Sequence, residues 1–589
     1  MKKTALILML SMCSILAMYA GGAEESFVEG IFKYEIDGVH GTGDSVKVSV
    51  VQDSINTGFH LPDSVLHVPA SVIHDGRQYG VRAIKRGGLS GCSCIKKLII
   101  DEGIKVIENE SFNGCFNLES TTIPATVDSV GNDLFSECER LRKITVDRKN
   151  PVYDSRKGCN AIIETKENLL LVGCQTTVIP SSIVCIVPDA FVGCLGLTEM
   201  RIPEGVERIC EDAFVDCPDL TSIYISSTVH HIGQSIFRNC PRLARIVVDE
   251  KNEEYDSRNN CNAIINTPDS TLVVGCCKTV IPEGLKEIGQ RAFSYCSKLM
   301  QIVIPDGITY IADFAFEACS NLQFISLPQS LEYIGMYAFN RCASLDSIYI
   351  PRDVYKICRN PFWGCTSLRS IVVDTENKAY DSRQGCNAII ETEKNCLMAG
   401  CVGTVIPDGI REISEMEFST LPLTKIFIPK SIEKIGHEAF RYLPSCVSIQ
   451  VDKDNPVYDS RDNCNAIIET ATNKLVYGCR RTDISESVRI IGENAICEMD
   501  LGYYLIIPEG VETIEEHAIS SPSLHFVVLP RSIRHISTHS FSFCKNLEAL
   551  LFKGDMGNVE LTETYYQKPD YLKPILEAQW KKEKKKINR

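Results

Sequence analysis

Cysteine is the residue type in this sequence with the widest chemical range, because a thiol can form disulfides, bind soft metal ions or act as a nucleophile. The chain has 589 residues, of which 28 are cysteines. Eleven of these occupy one repeating position, three residues after a phenylalanine or leucine: Cys92, Cys115, Cys138, Cys194, Cys217, Cys240, Cys296, Cys319, Cys342, Cys365 and Cys544. Other copies of the position hold Leu421, Leu443, Met499 or Pro522. This exchange with apolar residues predicts buried, reduced thiols that fill space.

Eight further cysteines form four pairs with a constant separation of 15 residues: Cys159 with Cys174, Cys261 with Cys276, Cys386 with Cys401, and Cys464 with Cys479. Each pair brackets a polar turn between two strand-like segments, which predicts an antiparallel hairpin. In an unbroken hairpin with a two-residue turn, residues equidistant from the turn lie about 4.5–5.5 Å apart at Cα, within disulfide reach. The pattern therefore predicts four local disulfides, with buried thiols as the alternative.

Oxygen-bearing residues recur four times just before the paired cysteines: Asp147/Asn150/Tyr153/Asp154, Asp249/Asn252/Tyr255/Asp256, Asp374/Asn377/Tyr380/Asp381 and Asp452/Asn455/Tyr458/Asp459. Such residues could hold Ca²⁺, but Asx turns use the same residues without an ion, and we favour turns. The sequence has no zinc-knuckle spacing and no nucleophile-elbow, zincin or phosphate-loop motif. We therefore predict no catalytic residues, no metal site and no cofactor.

The central residue of each Ile-x-Ile segment points away from the core if the segment is a strand. Exposed aromatic and β-branched residues on neighbouring strands could form a ligand face, although β propensity alone favours the same residues. The edges of the hairpins are a rival surface. The candidate binding face comprises Arg201, Tyr224, Val247, Tyr349, Val372 and Phe427.

A repeat of 23 residues positions all these side chains. Its apolar residues in one copy are Ile304, Ile308, Ile311, Ala315, Phe316, Cys319, Leu322 and Ile325. Fifteen copies follow one another in runs of three, three, four, two and three, and the interval between runs is always 56 residues, that is, 23 plus an inserted hairpin segment of 33. One copy cannot bury its own apolar side, so neighbouring coils must stack. The sequence predicts a repeat solenoid, mainly β, with one short parallel strand per coil.

These patterns predict the following organisation: a signal peptide at 1–23, a β-rich N-terminal cap at 24–86, a leucine-rich repeat solenoid at 87–553 with hairpin coils at about 147–180, 249–282, 374–407 and 452–485, and a C-terminal cap with a basic tail at 554–589.

The N-terminus has the form of a secretory leader, with Lys2 and Lys3 before an apolar run that ends at small residues. Its removal changes the net charge from −15 to −17 (−15 − 2), which argues against nucleic acid as a partner. Cys13 lies in an imperfect lipoprotein box, so a lipid anchor is an alternative to free secretion. No later stretch reaches the roughly 20 apolar residues of a membrane span. We predict an exported protein, secreted or on the outer cell surface.

The frame Ile-Pro-x-x-Val-x-x-Ile-x-x-x-Ala-Phe-x-x-Cys-x-x-Leu resembles that of the BspA-type leucine-rich repeat surface proteins, over roughly residues 27–550. The segment 67–92 is similar to that family's entry hairpin, and the inserted hairpin coil is similar to one that usually carries Gly and Pro where this chain has cysteines. The resemblance implies adhesion to host matrix proteins or cells and coaggregation, without naming a ligand.

Together these observations predict a non-catalytic secreted or cell-surface interaction protein that adheres, through the solenoid surface, to a protein or glycan ligand on host or bacterial surfaces. The alternative is an envelope glycan-binding accessory protein, which would need a cluster of exposed Trp or Tyr side chains. The chain contains only two tryptophans, Trp363 and Trp580, which lowers that alternative.

Overall fold

The structure is a computed structural model that describes residues 26–36, 45–50, 64–497, 499–537, 539–554 and 559–562. The predicted signal peptide, Cys13, Trp580 and most of the predicted C-terminal cap lie outside the described residues. The chain divides into two compact units, unit 1 (Met1–Cys240 with Asp249–Asn252) and unit 2 (Pro241–Val248 with Glu253–Arg589). In the described part of the chain, no helix has the length and apolar character needed to cross a bilayer.

Each unit is a mainly β solenoid, as the repeat predicted. Most coils contribute one strand with inward-pointing isoleucine, valine or leucine, which we call a front strand. The front strands of unit 1 are Val65–Val68, Lys97–Ile100, Ser120–Ile123, Lys143–Val146, Glu199–Arg201 and Ser222–Ile225. Those of unit 2 are Arg245–Val248, Gln301–Val303, Phe324–Ser326, Ser347–Ile350, Ser370–Val373, Lys425–Ile428, Ser448–Val451, Tyr504–Ile506, Phe526–Leu529 and Ala549–Phe552. Front strands of neighbouring coils pair in parallel at the repeat spacing, as where Ile348 lies opposite Ile371. In the run of four coils they form two two-stranded sheets, Gln301–Val303 with Phe324–Ser326 and Ser347–Ile350 with Ser370–Val373.

A second, shorter strand on each coil forms another parallel sheet, and we call these the side strands. In unit 1 they are Val106–Ile107, Ser129–Val130, Cys185–Ile186, Arg208–Ile209 and His231–Ile232. In unit 2 they are Glu287–Ile288, Tyr310–Ile311, Tyr333–Ile334, Lys356–Ile357, Glu412–Ile413, Lys434–Ile435, Ile490–Ile491, Thr513–Ile514, His535–Ser537 and Glu560–Thr562. Their isoleucines point into the coil, and the residue before each isoleucine points outward.

The inserted segments are antiparallel hairpins, which confirms their predicted character. Their strands are Tyr153–Asp154, Ile162–Glu164 and Leu169–Val172; Tyr255–Asp256, Ile264–Asn266 and Thr271–Val274; Tyr380–Asp381, Ile389–Glu391 and Cys396–Ala399; and Tyr458–Asp459, Ala466–Glu469 and Lys474–Gly478. A short 3-10 turn lies between the first and second strands of each segment, at Arg156–Gly158, Arg258–Asn260, Arg383–Gly385 and Arg461–Asn463. Every hairpin contains a register shift within its first long strand.

The first described residues of unit 1 are also β-rich. Their strands are Ser26–Glu29, Phe32–Ile36, Ser45–Val50, Ser71–His74 and Arg77–Ile84. The last of these pairs in parallel with the side strand Val106–Ile107, so the sheet of this segment continues into the side sheet of the repeats.

Stacked phenylalanines form the centre of most of the repeat coils. The rings of Phe293 and Phe316 lie 5.0 Å apart between centroids, and those of Phe316 and Phe339 lie 5.4 Å apart. Both distances are close to the spacing of neighbouring strands, so each ring packs on the ring of the next coil. Phe316 is completely buried. The aromatic ladder therefore fixes the outward positions of the front strands relative to one another.

Candidate functional site

The six residues of the predicted binding face all lie on front strands with their side chains outward, but in different neighbourhoods. Arg201 and Tyr224 belong to unit 1, whereas Val247, Tyr349, Val372 and Phe427 belong to unit 2. Arg201, Tyr349, Val372 and Phe427 are exposed, and Tyr224 and Val247 are half-buried. The six residues therefore differ in exposure and in the unit that carries them.

In unit 1, the outward side chains of Arg201 and Tyr224 contact each other, and Tyr224 is hydrogen-bonded to Asp249. Arg201 lies directly opposite Tyr224 on the neighbouring strand, and its guanidinium carbon is 3.8 Å from the centre of the tyrosine ring. The Tyr224 hydroxyl donates a hydrogen bond to Asp249, and this bond raises the pKa of the tyrosine. Arg201, Tyr224 and Asp249 thus form a small charged patch whose polar groups already have partners.

The longest uninterrupted run of coils, in unit 2, carries a different surface. Its four front strands present eight outward side chains, which we call the run face: Gln301, Val303, Phe324, Ser326, Ser347, Tyr349, Ser370 and Val372. None of the eight is charged, although charged residues make up 23% of the chain. Val303, Phe324, Tyr349 and Val372 are respectively 64%, 52%, 43% and 44% exposed. The run face is therefore an uncharged strip in which two aromatic and two valine side chains are exposed.

Tyr349 is held in place within the run face. It lies opposite Val372, and its hydroxyl donates a 2.5 Å hydrogen bond to Asp374 Oδ2. The other carboxylate oxygen of Asp374 accepts the backbone N–H of Glu376 at 2.8 Å. The bond to Asp374 raises the pKa of Tyr349. The ring is thereby fixed at the surface while its face stays open to a partner.

Phe427, the remaining aromatic residue of the predicted face, belongs to a different run of coils. It is 52% exposed and lies opposite Gln450 on a run of two front strands. The hairpin coil with strands Tyr380–Asp381 to Cys396–Ala399 separates these strands from the run face in the chain. Phe427 therefore matches Phe324 in type and exposure, and each phenylalanine lies opposite a glutamine, but Phe427 belongs to a shorter run of coils.

The sequence reasoning missed several outward side chains, because it considered only the central residue of Ile-x-Ile. The residue before the first isoleucine also points outward, and this position holds Phe324. In the last run of coils, Tyr504, Ile506 and Leu551 are exposed as well. Side-chain alternation along each strand would have revealed all of them.

The recurring Asp and Asn residues make the hydrogen bonds of turn caps in this structure. Asp147 accepts the backbone N–H of Lys149 at 2.8 Å, and Asn150 donates to two carbonyls of the preceding coil. Asp154 forms an ion pair with Arg156. Asp249, Asp374 and Asp452, the equivalents of Asp147, each accept the backbone N–H of the residue two positions later. Among the described residues, no group of three or more His, Cys, Asp or Glu side chains is placed to hold a metal ion.

The cysteines of the repeating position are free thiols, and all are buried except the half-buried Cys296, as predicted for a space-filling position. The structure adds a reason for choosing cysteine over leucine. Each thiol in the coils that continue a run donates to a backbone carbonyl of the preceding coil: Cys115 to Leu89, Cys138 to Phe112, Cys217 to Phe191, Cys240 to Phe214, Cys319 to Phe293, Cys342 to Phe316, Cys365 to Phe339 and Cys544 to Ile519. Burial raises the pKa of Cys342 well above its ordinary value.

We expect these thiols to make the protein sensitive to alkali. Above the unfolded thiol pKa of about 8.5, the unfolded chain loses protons that the folded state keeps, so stability falls as pH rises. Each such thiol contributes a slope of about 1.4 kcal/mol per pH unit. Urea unfolding in the presence of a reductant, at a series of pH values from neutral to alkaline, measures this loss. The variant Cys342→Leu, which adopts the residue found at Leu421 and Leu443, should lose stability less steeply; identical pH dependence in both proteins would contradict the assignment.

The eight paired cysteines are buried free thiols in the structure. The assumption of an unbroken hairpin is wrong: Glu164 lies opposite Leu169 as predicted, but a shift at Ile162 places that residue opposite Val172. If this shifted register continues for two more residues, Cys174 lies opposite Asn160 and not opposite Cys159. In agreement, the Cys174 thiol donates a hydrogen bond to the Asn160 carbonyl at 3.4 Å. The same bond recurs from Cys276, Cys401 and Cys479.

The four disulfides stay a prediction, to be tested by peptide mapping without reductant after expression in an oxidising compartment. Linked Cys159–Cys174 peptides, and the three equivalent links, are the expected products. Alkylation of all eight thiols after denaturation without reductant would show that the hairpins carry thiols instead. Cys217, a fully buried cysteine of the repeating position, serves as the internal standard for a thiol that stays reduced.

Comparison with known proteins agrees with the repeat pattern. The model of the BspA type leucine-rich repeat region matches residues 78–157, 172–269, 275–386, 400–467 and 473–562. Among curated proteins, none matches this chain.

Several solved structures are similar to this chain. A leucine-rich cell surface protein from Faecalibacterium prausnitzii is 18% identical over 92% of this chain and 97% of that chain, with a TM-score of 0.32. A leucine-rich repeat protein from Eubacterium ventriosum is 18% identical over 72% and 96%, with a TM-score of 0.39. The pneumococcal vaccine antigen PcpA is 18% identical over 74% and 95%, with a TM-score of 0.34. On the extent of the match to the family model, the chain belongs to the BspA-type leucine-rich repeat family.

Proposed function

We propose that this chain is an exported, non-catalytic adhesion protein that binds a protein on a host or bacterial surface through the run face. Membership of a leucine-rich repeat family suggests a protein-interaction role. The leader-like N-terminus supports export, and the uncharged, aromatic character of the run face supports a protein as the partner.

The single observation that carries this proposal is the absence of charge from the run face. The centres of protein interfaces are depleted in charged residues and enriched in aromatic ones. The run face has this composition, with Phe324 and Tyr349 on neighbouring coils and small serines between them. The corresponding outward positions of unit 1 include Lys97, Lys143 and Arg201, so the composition is not a general property of the front strands.

The fixed ring of Tyr349 adds to the case. A side chain that must be immobilised on binding costs conformational entropy, about 0.5–1.5 kcal/mol each for rotamer-rich side chains. Because the hydrogen bond to Asp374 already restricts the Tyr349 side chain, binding a partner should cost less conformational entropy at this residue.

Charged residues border the run face where its last two strands end. A surface depression of about 510 Å³ lies there, lined by Arg352, Asp353, Val354, Tyr355, Glu376, Lys378 and Ala379. Arg352 pairs with Asp353 at 3.6 Å and with Glu376 at 3.5 Å. An uncharged centre with a charged border is the arrangement found in protein interfaces.

Trp363, the tryptophan among the described residues, gives the glycan-binding alternative no support. Trp363 is half-buried, and the guanidinium of Arg341 covers its ring at 5.3 Å from the centroid. Sugar rings stack on open aromatic faces, and this face is occupied.

A binding screen of the chain without residues 1–23 tests the proposal. The protein should bind saturably to one or more members of an array of matrix and bacterial surface proteins, and binding should be lost when Phe324 and Tyr349 are both replaced by serine. Saturable binding to a glycan array without protein binding, or protein binding that survives the double replacement, would contradict it.

A further inference from the structure

Two cysteines outside both the repeating position and the hairpins lie side by side in unit 1. The sulfur atoms of Cys185 and Cys210 are 3.5 Å apart. Cys185 begins a side strand and lies opposite Arg208 on the next coil, two residues before Cys210. The backbone N–H of Cys210 donates to the carbonyl of Ile186 at 3.0 Å, which holds the two coils in this register. The proximity of the thiols therefore follows from the strand pairing.

The two thiols differ in their access to solvent. Cys210 is half-buried, whereas most cysteines of the repeating position are buried. Cys185 points outward on its strand and is 8% exposed, as much as Cys194 and Cys240 of the repeating position. Other coils place Gly233, Gly289 or Gly335 at the position of Cys210, and Arg208, His231 or Glu287 at that of Cys185. Filling of apolar space explains the cysteines of the repeating position, but it does not explain Cys185 and Cys210.

The surroundings divide the two thiols into a nucleophile and a proton donor. The hydrogen bond from Cys185, and then the charge of Arg208, lower the pKa of Cys210 to about 7. The same hydrogen bond and burial raise the pKa of Cys185. Cys210 is also the more accessible of the two thiols, so it is the one that can reach a disulfide and attack it as thiolate.

We propose that Cys185 and Cys210 form a reversible disulfide that links two neighbouring coils, made by exchange with a small-molecule disulfide of the glutathione class. The Cys210 thiolate attacks one sulfur of oxidised glutathione, which breaks its S–S bond and releases one glutathione thiolate. Cys185 then attacks the Cys210 sulfur of the mixed disulfide and releases the second glutathione. The proton of Cys185 passes to a departing thiolate, so two protein thiols are oxidised while one glutathione disulfide is reduced.

The chain contains a matched position that cannot react in this way. In unit 2, Tyr333 occupies the place of Cys185, and its hydroxyl lies 2.9 Å from the thiol of Cys358, the counterpart of Cys210. Cys358 donates its backbone N–H to Ile334 as Cys210 does to Ile186. Cys358 therefore has the same backbone setting as Cys210 without a second thiol, and it serves as an internal control.

To test this proposal, the full folded chain is incubated in buffers of reduced and oxidised glutathione at neutral pH. Free thiols are then blocked, and the peptides are mapped without reductant. We expect a Cys185–Cys210 link that reduced glutathione reverses, with Cys217 unmodified. The variant Cys185→Ser should instead keep glutathione attached to Cys210, because no second thiol resolves it. In Cys210→Ser, Cys185 should carry neither a link nor glutathione. Circular dichroism of the reduced variants checks that both fold.

Failure of the Cys185–Cys210 link to form, in wild-type protein that stays folded in oxidised glutathione, would overturn the proposal. A Cys185→Ser protein with no glutathione on Cys210 would overturn the assignment of Cys210 as the attacking thiol. A link involving Cys358 would show that the oxidation follows general exposure and not the paired geometry.

Discussion

Replacing the buried Phe316 by alanine should lower the free energy of unfolding of unit 2 by about 3–5 kcal/mol, the usual cost of removing a core phenylalanine. The ring is completely buried and stacks on Phe293 and Phe339, so its loss leaves a cavity between two coils and breaks the aromatic ladder. Urea unfolding followed by circular dichroism measures the change.

Phe324, eight residues later in the same repeat, is the matched control. Its side chain is on the run face, so Phe324→Ala should change the unfolding free energy by no more than about 0.5 kcal/mol. Equal losses in the two variants would mean that the strand faces are assigned the wrong way round.

The second large effect concerns whole coils. Deleting residues 317–339 removes one complete repeat and joins Phe316 to Asn340, so the frame Phe-x-x-Cys continues through Cys342. Contacts in a solenoid are made between neighbouring coils, so the shortened chain should still fold and unfold cooperatively.

Deleting only residues 317–328 is the control for this experiment. It removes about half a coil, which places Leu331 and Ile334 out of line with the apolar positions of both neighbouring coils. We expect this variant to lose the cooperative transition around the deletion in a thermal melt. If the complete-coil deletion behaves in the same way, the array is not modular.

The fold could be predicted from the sequence because the repeat period and the side-chain alternation report the same inward positions. The bulge in each hairpin could not. In the first hairpin it lies between Ile162 and Ile163, shortly after Asn160, whose backbone is left-handed (φ 55°). Asparagine is among the few residues that adopt this conformation readily, but its presence alone does not say where a strand register shifts.

The candidate site was only partly predictable for a similar reason. The sequence shows which residues point outward, but not which outward residues meet. The structure shows that a residue often bonds to another 25 positions later, one repeat plus two residues, in the pairs Tyr224–Asp249, Tyr349–Asp374, Tyr333–Cys358 and Cys185–Cys210. This rule follows from the diagonal neighbours of parallel strands.

The most direct test of the central claim is the affinity of the two phenylalanine variants for a protein partner found in the screen. Phe324 and Phe427 are each 52% exposed on front strands, but only Phe324 belongs to the run face. A central aromatic contact contributes 1–2 kcal/mol or more, so Phe324→Ala should weaken binding about tenfold or more, while Phe427→Ala should leave it nearly unchanged. Equal affinities for wild type and Phe324→Ala, or a larger loss for Phe427→Ala, would contradict the assignment of the run face as the binding surface.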